Sequence, residues 1–267
     1  APATPNITAT SFEYNGTSWT AGGDMVESRI AGTGFGSSNT AAVVAAGNEP
    51  TLSAKTETYN GTAFTEETDC NQARGEKLGG AGTSTAGVIF GGANPPGTQR
   101  NETETWNGSS WTETGNLNSA RSQLAGAGAA YTASIAFGGY TTTGTGATET
   151  FNGSSWTETG DLNTAREGLG GSGTSTSALA FSGLTPPGAK VGVTENFDGS
   201  TWTEVADLST TRYLVGGSPS GTNVEALAAG GLVTEAVTNT EEWSAPAVFG
   251  KQVEGQLFFN STTNTFI

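Results

Sequence analysis

The chain repeats itself at intervals of 45 to 47 residues. An aromatic residue followed by Asn-Gly, Asp-Gly or a variant of that pair recurs six times, at Tyr14, Tyr59, Trp106, Phe151, Phe197 and Trp243. A second aromatic residue lies five positions after most of them, at Trp19, Phe64, Trp111, Trp156 and Trp202. An arginine keeps the same spacing, at Arg29, Arg74, Arg121, Arg166 and Arg212. A period in the forties, built from short strands, is typical of a β-propeller.

One repeat predicts four short antiparallel strands. Residues 103–106 alternate polar and apolar side chains, as a half-buried strand does. Asn107-Gly108 then predicts a tight hairpin in which both turn residues have positive φ. The small residues 126–130 suit an innermost strand beside the ring axis, and the apolar strand 134–137 ends in Gly138-Gly139.

The number of blades depends on how the ring closes. The small inner strand occurs five times, near Gly32, Gly80, Gly126, Gly171 and Gly216, but the aromatic hairpin occurs six times. We therefore expect a repeat domain at residues 1–246 and a C-terminal hairpin or tail at 247–267, which closes the ring with residues 7–20. This arrangement gives six blades of four strands, since joining both termini in one blade removes free strand edges. The alternative is five blades and a separate C-terminal hairpin.

Composition argues against several functions. The chain has a net charge of −15, which disfavours binding to nucleic acid and to anionic membranes. Its longest run of small apolar residues, 41–46, is too short to span a bilayer. Histidine is absent, which removes Ser-His-Asp and Cys-His catalysis and histidine metal sites. We expect no enzymatic activity, no catalytic or metal-binding residue and no cofactor. The single cysteine, Cys70, is expected to be an incidental surface or loop thiol.

The repeated charges have two interpretations. A glutamate precedes each hairpin aromatic, at Glu13, Glu57, Glu104, Glu149, Glu195 and Glu241 or Glu242, and an arginine follows each hairpin. Paired carboxylates could hydrolyse a glycosidic bond. Perfect periodicity favours structural ion pairs instead, because a catalytic site on a repeated scaffold breaks the repeat.

The loops after the apolar strands are the least regular part of each repeat. Residues 93–100, 140–147 and 184–192 are expected on one face of the disc, where variable loops on a rigid scaffold usually bind ligands. Their side chains best suited to ligand contact are Arg100, Tyr140 and Lys190. Solvent-exposed connectors remain the simpler interpretation.

The pattern resembles the kelch motif over roughly residues 10–243. The features that resemble the kelch motif are an apolar strand ending in Gly-Gly, as in Val88–Gly92, then an aromatic-Asn turn, and a tryptophan beyond that turn. The hairpin departs from kelch, since only four residues separate Trp106 from Trp111.

The near-identical segments 103–115 and 148–160 resemble kelch-like proteins of marine bacteriophages, and the tail segment 255–266 is similar to one found in phage fibre proteins. The resemblance implies a virion or extracellular location. It also implies a non-enzymatic structural or host-contact role with other virion or surface proteins, host-surface glycans or further copies of the chain as partners. The alternatives are a secreted carbohydrate-binding propeller, which exposed tryptophan faces would support, and a glycosidase or oxidase, which a single asymmetric carboxylate pair in the channel would support.

Overall fold

A computed structural model describes residues 7–49, 51–94 and 97–245, with two further short strands at 259–260 and 265–266. The described chain is all-β apart from one short 3-10 helix, Tyr131–Ala133. It opens with an N-terminal hairpin of β1 (Phe12–Tyr14) and β2 (Trp19–Ala21), in which Tyr14 lies opposite Trp19.

Four complete blades follow, each an antiparallel sheet of four strands. The first blade contains β3 (Thr33–Ser38), β4 (Ala41–Glu49), β5 (Thr51–Tyr59) and β6 (Phe64–Glu66). The second contains β7 (Gly79–Thr83), β8 (Ala86–Phe90), β11 (Thr103–Trp106) and β12 (Trp111–Glu113), with β9 (Ala93–Asn94) and β10 (Thr98–Gln99) forming a small hairpin between β8 and β11.

The third blade contains β13 (Ala125–Ala127), β14 (Ser134–Phe137), β15 (Thr148–Phe151) and β16 (Trp156–Glu158), and the fourth contains β17 (Gly170–Thr174), β18 (Ser177–Thr185), β19 (Ala189–Phe197) and β20 (Trp202–Val205). A fifth sheet pairs β21 (Glu225–Ala229) with β22 (Thr240–Ser244), and Gly216 bridges to Ala229 where the other blades have an inner strand. The last pair is β23 (Phe259–Asn260) and β24 (Thr265–Phe266).

The aromatic hairpins close through a side chain rather than through a two-residue turn. Asn107 Oδ1 accepts hydrogen bonds from the backbone N–H groups of Ser109 and Ser110, at 3.0 and 2.9 Å. Only Gly108 has a positive φ, 94°, and Trp106 pairs directly with Trp111. The loop therefore has four residues, and the expectation of positive φ at both Asn and Gly was wrong. The asparagine is selected here as a hydrogen-bond acceptor.

Neighbouring blades are joined by the second tryptophan of each hairpin. Trp156 Nε1 donates to Thr103 Oγ1 in the preceding blade at 2.9 Å, and its ring packs edge-on against Phe90 at 4.7 Å. Trp111 and Trp202 make the same bond, to Thr56 and Thr148. Because these side chains are at most 6% exposed, they contribute apolar burial and a satisfied indole N–H together.

The N-terminal hairpin takes part in the same arrangement. Trp19 Nε1 donates to Thr240 Oγ1 in β22 at 2.9 Å, as each blade tryptophan does to the sheet before it. On the other side, the Tyr59 hydroxyl of the first blade donates to Glu13. The hairpin thus lies between the fifth sheet and the first blade.

The prediction of an all-β propeller is confirmed. The structure contains four complete blades and two half-formed ones among the described residues, so the six-blade arrangement stays a prediction. Most of the expected tail, 247–267, lies outside the described residues.

Candidate functional site at the axial channel

The inner strands leave a cavity of about 580 Å³ along the ring axis. Glycine is the commonest residue of its walls, because neighbouring inner strands approach closely. A Cβ placed on Gly126 would lie 2.6 Å from the Phe90 ring and 3.0 Å from Gly80 backbone atoms. Four of the five small-residue strands predicted from the sequence, β3, β7, β13 and β17, therefore line the channel, and the segment at Gly216 takes the fifth position without forming a strand.

A hydrogen-bonded belt surrounds one mouth of the channel. Its members are the residues two positions after each repeated arginine, together with Lys77, and all have left-handed backbone: Ala31, Glu76, Lys77, Gln123, Gly168 and Leu214. Each link joins the backbones of adjacent repeats, with N–H to C=O distances of 2.7 to 3.0 Å from Lys77 to Ala31, Gln123 to Glu76, Gly168 to Gln123 and Leu214 to Gly168. We call this set the axial belt.

Lys77 breaks the symmetry of the axial belt. Leu124 lies three positions after Arg121, and Leu169 lies three positions after Arg166. Leu78, however, lies four positions after Arg74. Lys77 is the added residue, and both it and Glu76 have positive φ, 57° and 58°. Non-glycine residues in this region carry strain of order 1–3 kcal/mol each, and such strain is common at functional sites.

The Lys77 side chain crosses the channel mouth. Its Nζ donates to the Leu169 carbonyl oxygen at 2.7 Å and to the Val215 carbonyl oxygen at 3.1 Å, on the inner segments of two other repeats. The residue as a whole is half-buried, but its ammonium group is enclosed, and burial lowers the pKa of Lys77 to about 7. No carboxylate lies among the described residues that line the cavity.

Residues 217–221 reach across the opposite end of the channel. The Pro219 carbonyl oxygen accepts the Gly128 N–H at 2.8 Å, and Ser220 Oγ donates to the Gly82 carbonyl oxygen at 2.9 Å. These bonds join the fifth repeat to the second and third across the axis. This segment therefore lies at one end of the cavity, and Lys77 lies at the other.

The repeated arginines and glutamates form buried ion pairs. Each arginine pairs with the glutamate of the strand third from the axis: Arg29–Glu57, Arg74–Glu104, Arg121–Glu149, Arg166–Glu195 and Arg212–Glu241. The arginine side chains are at most 2% exposed. This use of every copy matches the structural interpretation of the periodic charges, and it identifies Glu241 rather than Glu242 as the fifth glutamate.

The second carboxylate oxygen of each glutamate caps the connection before its arginine. Glu149 Oε2, for example, accepts the Asn118 backbone N–H at 2.7 Å, and Glu104 and Glu195 do the same for Asn71 and Asn163. Burial lowers the pKa of Arg74, Arg121 and Arg166, and the glutamates oppose that shift. Arginine nevertheless stays protonated.

Two expectations about single residues change. Cys70 lies in a connection between strands, as one alternative expected, but it is 5% exposed and packs in the core against the first and second blades, so the surface alternative was wrong. Burial raises the pKa of its thiol to about 12. The tryptophans Trp106, Trp111, Trp156 and Trp202 are all buried, so no sugar-stacking pocket can use their faces.

The three predicted contact residues lie near the axial belt but do not converge. Arg100 forms an ion pair with Glu102 at 2.6 Å, and its carbonyl oxygen accepts the Arg121 N–H. The Tyr140 backbone exchanges two hydrogen bonds with Ser122, beside Gln123 of the belt. Lys190 Nζ lies 5.7 Å from the centre of the Tyr213 ring, beside Leu214. All three loops therefore attach to the belt face of the disc.

Sequence reasoning missed Lys77, although a signal was present. The arginine spacing lengthens from 45 to 47 residues between Arg74 and Arg121, and a lysine sits immediately after Arg74-Gly75-Glu76. Aligning the repeats on Arg and the following Leu would have shown one added basic residue at the channel.

Comparison with protein-family models finds no match to the chain, and comparison with curated proteins finds none either. Among the described residues, no helix is long and apolar enough to cross a membrane. No group of three or more His, Cys, Asp or Glu side chains in that part of the chain is placed to hold a metal ion. The class of protein that the fold defines is thus an all-β propeller with an axial cavity.

Proposed function

We propose that this chain is a non-enzymatic interaction propeller, a kelch-like component of a bacteriophage particle that contacts other virion proteins or the host surface. The observation that supports an interaction role is that the repeated residues and the variable loops lie in different parts of the fold. The periodic aromatic and charged side chains are used inside and between the blades. The loops 93–100, 140–147 and 184–192, which differ between repeats, attach to the belt face, where recognition by a rigid scaffold is expected.

The particle assignment rests on the resemblance of segments 103–115 and 148–160, and of tail segment 255–266, to phage proteins. The net charge of −15 is compatible with protein partners and disfavours nucleic acid as a partner.

Mass spectrometry of purified particles tests this proposal. We expect peptides of the chain at a fixed ratio to the major capsid protein after density-gradient purification. Recovery only in the particle-free secreted fraction would contradict the virion role. Glycan-array binding would then test the alternative of a secreted carbohydrate-binding protein, whose site would have to avoid the buried tryptophans.

We also propose that the ring has six blade positions. The contacts of Trp19 with Thr240 and of Tyr59 with Glu13 give the N-terminal hairpin a neighbour on each side. Phe12 in β1 is 60% exposed, and the strand has no partner on its inner edge among the described residues. Residues 247–267 would supply the missing inner strands and cover Phe12.

Truncation after residue 246 tests the closure. If the tail completes the sixth blade, the truncated chain should unfold at a lower urea concentration than the full chain. The structure around Trp19 should then be lost before that of the rest of the ring. Removal of residues 1–6 is the matched control, for which we expect little change. Unchanged stability after removal of the tail would favour five blades and a separate hairpin.

A further inference from the structure

The channel mouth combines a cavity, one buried amine and no counter-charge. Lys77 is the only titratable residue among the described residues that line the 580 Å³ cavity. The volume lies within the range of small-molecule sites. A buried charge without a partner is costly, so its retention at an added, strained position needs an explanation.

The ammonium group of Lys77 can donate one further hydrogen bond. A lysine ammonium group has three N–H donors. Two are used by the Leu169 and Val215 carbonyl oxygens, and these also fix the position of Nζ at the mouth. The third donor has no acceptor in the hydrogen bonds that the structure shows for Lys77, so it is available to a ligand.

We propose that the axial channel is a binding site for a small monocarboxylate, whose carboxylate oxygen accepts the third N–H of Lys77 while its neutral body lies in the cavity. This inference goes beyond the proposed function and does not depend on it.

The surroundings of Lys77 favour a monoanion over phosphate or sulfate. One ammonium group supplies one charge and one donor, whereas two carbonyl oxygens within 3.1 Å of Nζ repel further negative charge. A dianion would lose most of its hydration without replacement. A carboxylate needs only one strong contact, and the half-buried Ala42 and Val44 at the cavity wall offer apolar surface to the rest of the molecule.

Other charged groups near the mouth are accounted for. Segments that pack around Lys77 carry five arginines, each in an ion pair with a glutamate, and two further glutamates: Arg29, Arg74, Arg121, Arg166, Arg212, Glu76 and Glu167. Burial raises the pKa of Glu167 above its ordinary value. Arginine does not change charge in the pH range in which Lys77 does.

Binding should therefore depend on pH through Lys77. With a pKa of about 7, the amine is about 90% protonated at pH 6 and about 10% protonated at pH 8. Since only the protonated amine pairs with a carboxylate, the affinity should fall about tenfold between these two pH values.

Butyrate and its uncharged analogue butyramide are suitable probes. Lysine-selective 13C labelling gives four side-chain signals, from Lys55, Lys77, Lys190 and Lys251, which single substitutions assign. We expect butyrate to shift the Lys77 Cε signal, to raise the pKa at which that signal titrates, and to bind about tenfold more weakly at pH 8 than at pH 6. Butyramide should do none of this.

Two variants make the test specific. Lys77→Arg keeps two donors for the carbonyl oxygens and a permanent charge, so butyrate binding should persist and lose its dependence on pH. Lys77→Met should abolish binding, whereas the matched Lys190→Met should leave it unchanged. Binding of butyrate that survives in folded Lys77→Met, or no shift of Lys77 in the wild-type protein at pH 6, would overturn the proposal.

Discussion

Trp19 Nε1 donates a hydrogen bond to Thr240 Oγ1, 2.9 Å away and 221 residues later in the chain. The same bond joins Trp156 to Thr103 and Trp111 to Thr56, each between neighbouring sheets. The repeated unit of stability is thus an interface between blades as well as a blade. Because Trp19 and Thr240 lie near opposite ends of the chain, that interface also draws the two ends of the described repeat region together.

A double-mutant cycle on Trp156→Phe and Thr103→Val should give a coupling energy of about 1 kcal/mol in urea unfolding, the usual net value of a buried hydrogen bond. Both changes keep most of the packing volume. The equivalent cycle on Trp19→Phe and Thr240→Val should give a smaller coupling, because Trp19 is 41% exposed whereas Trp156 is 6% exposed. Equal couplings at the two interfaces would contradict the role of burial.

The repeated residues could be interpreted from the sequence because each makes the same contact in most copies. The tryptophan spacing predicted hairpins and blade interfaces, and the arginine spacing predicted ion pairs. The turn geometry was harder, because Asn107 acts through its side chain on Ser109 and Ser110. The longer arginine spacing marks Lys77 as an added residue, but its partners could not be predicted, because they are the carbonyl oxygens of Leu169 and Val215, 92 and 138 residues away.

Replacement of Trp111 by alanine should lower the free energy of unfolding by about 3–5 kcal/mol. The side chain packs edge-on against Phe35 at 6.3 Å and donates to Thr56, so both apolar contact and a hydrogen bond are lost. Phe12→Ala is the matched control, because Phe12 is 60% exposed and should cost far less. Full stability of the Trp111 variant would contradict its placement between blades.

Removal of the arginine alone from the Arg121–Glu149 ion pair should lower the free energy of unfolding far more than removal of both charges. Arg121→Met leaves the Glu149 carboxylate buried beside an apolar side chain, for which we expect a loss of about 3–5 kcal/mol. Adding Glu149→Gln removes that charge while its side-chain oxygen can still accept the Asn118 N–H. The double variant should therefore be more stable than Arg121→Met alone in urea unfolding. A double variant less stable than the single one would show that the unpaired charge of Glu149 is not what destabilises the Arg121→Met variant.

Cys70 should resist thiol reagents until the protein unfolds. Its thiol is buried and its pKa is raised to about 12, so almost no thiolate is present near neutral pH. We expect no reaction with an aromatic disulfide reagent in buffer and one reacting thiol per chain in concentrated urea. Cys70→Ser provides the blank. Rapid reaction of the folded protein at pH 8 would contradict the buried position.

Lys77 should make stability depend on pH in the alkaline range. The pKa of Lys77 is about 7 in the folded protein and about 10.4 in an unfolded chain, so the unfolded state binds more protons between these values. Stability linked to this group must therefore rise as pH increases from 7 to 10, with a slope of at most about 1.4 kcal/mol per pH unit. The measurement is the difference in unfolding free energy between wild type and Lys77→Met at several pH values, which cancels other titrating groups. In the variant the Leu169 and Val215 carbonyl oxygens lose their donor. Because of the proton linkage, the excess unfolding free energy of the wild type over the variant should be small at pH 6 and grow towards pH 10. A difference that stays constant over this range would mean that the ammonium of Lys77 is not enclosed at the channel mouth.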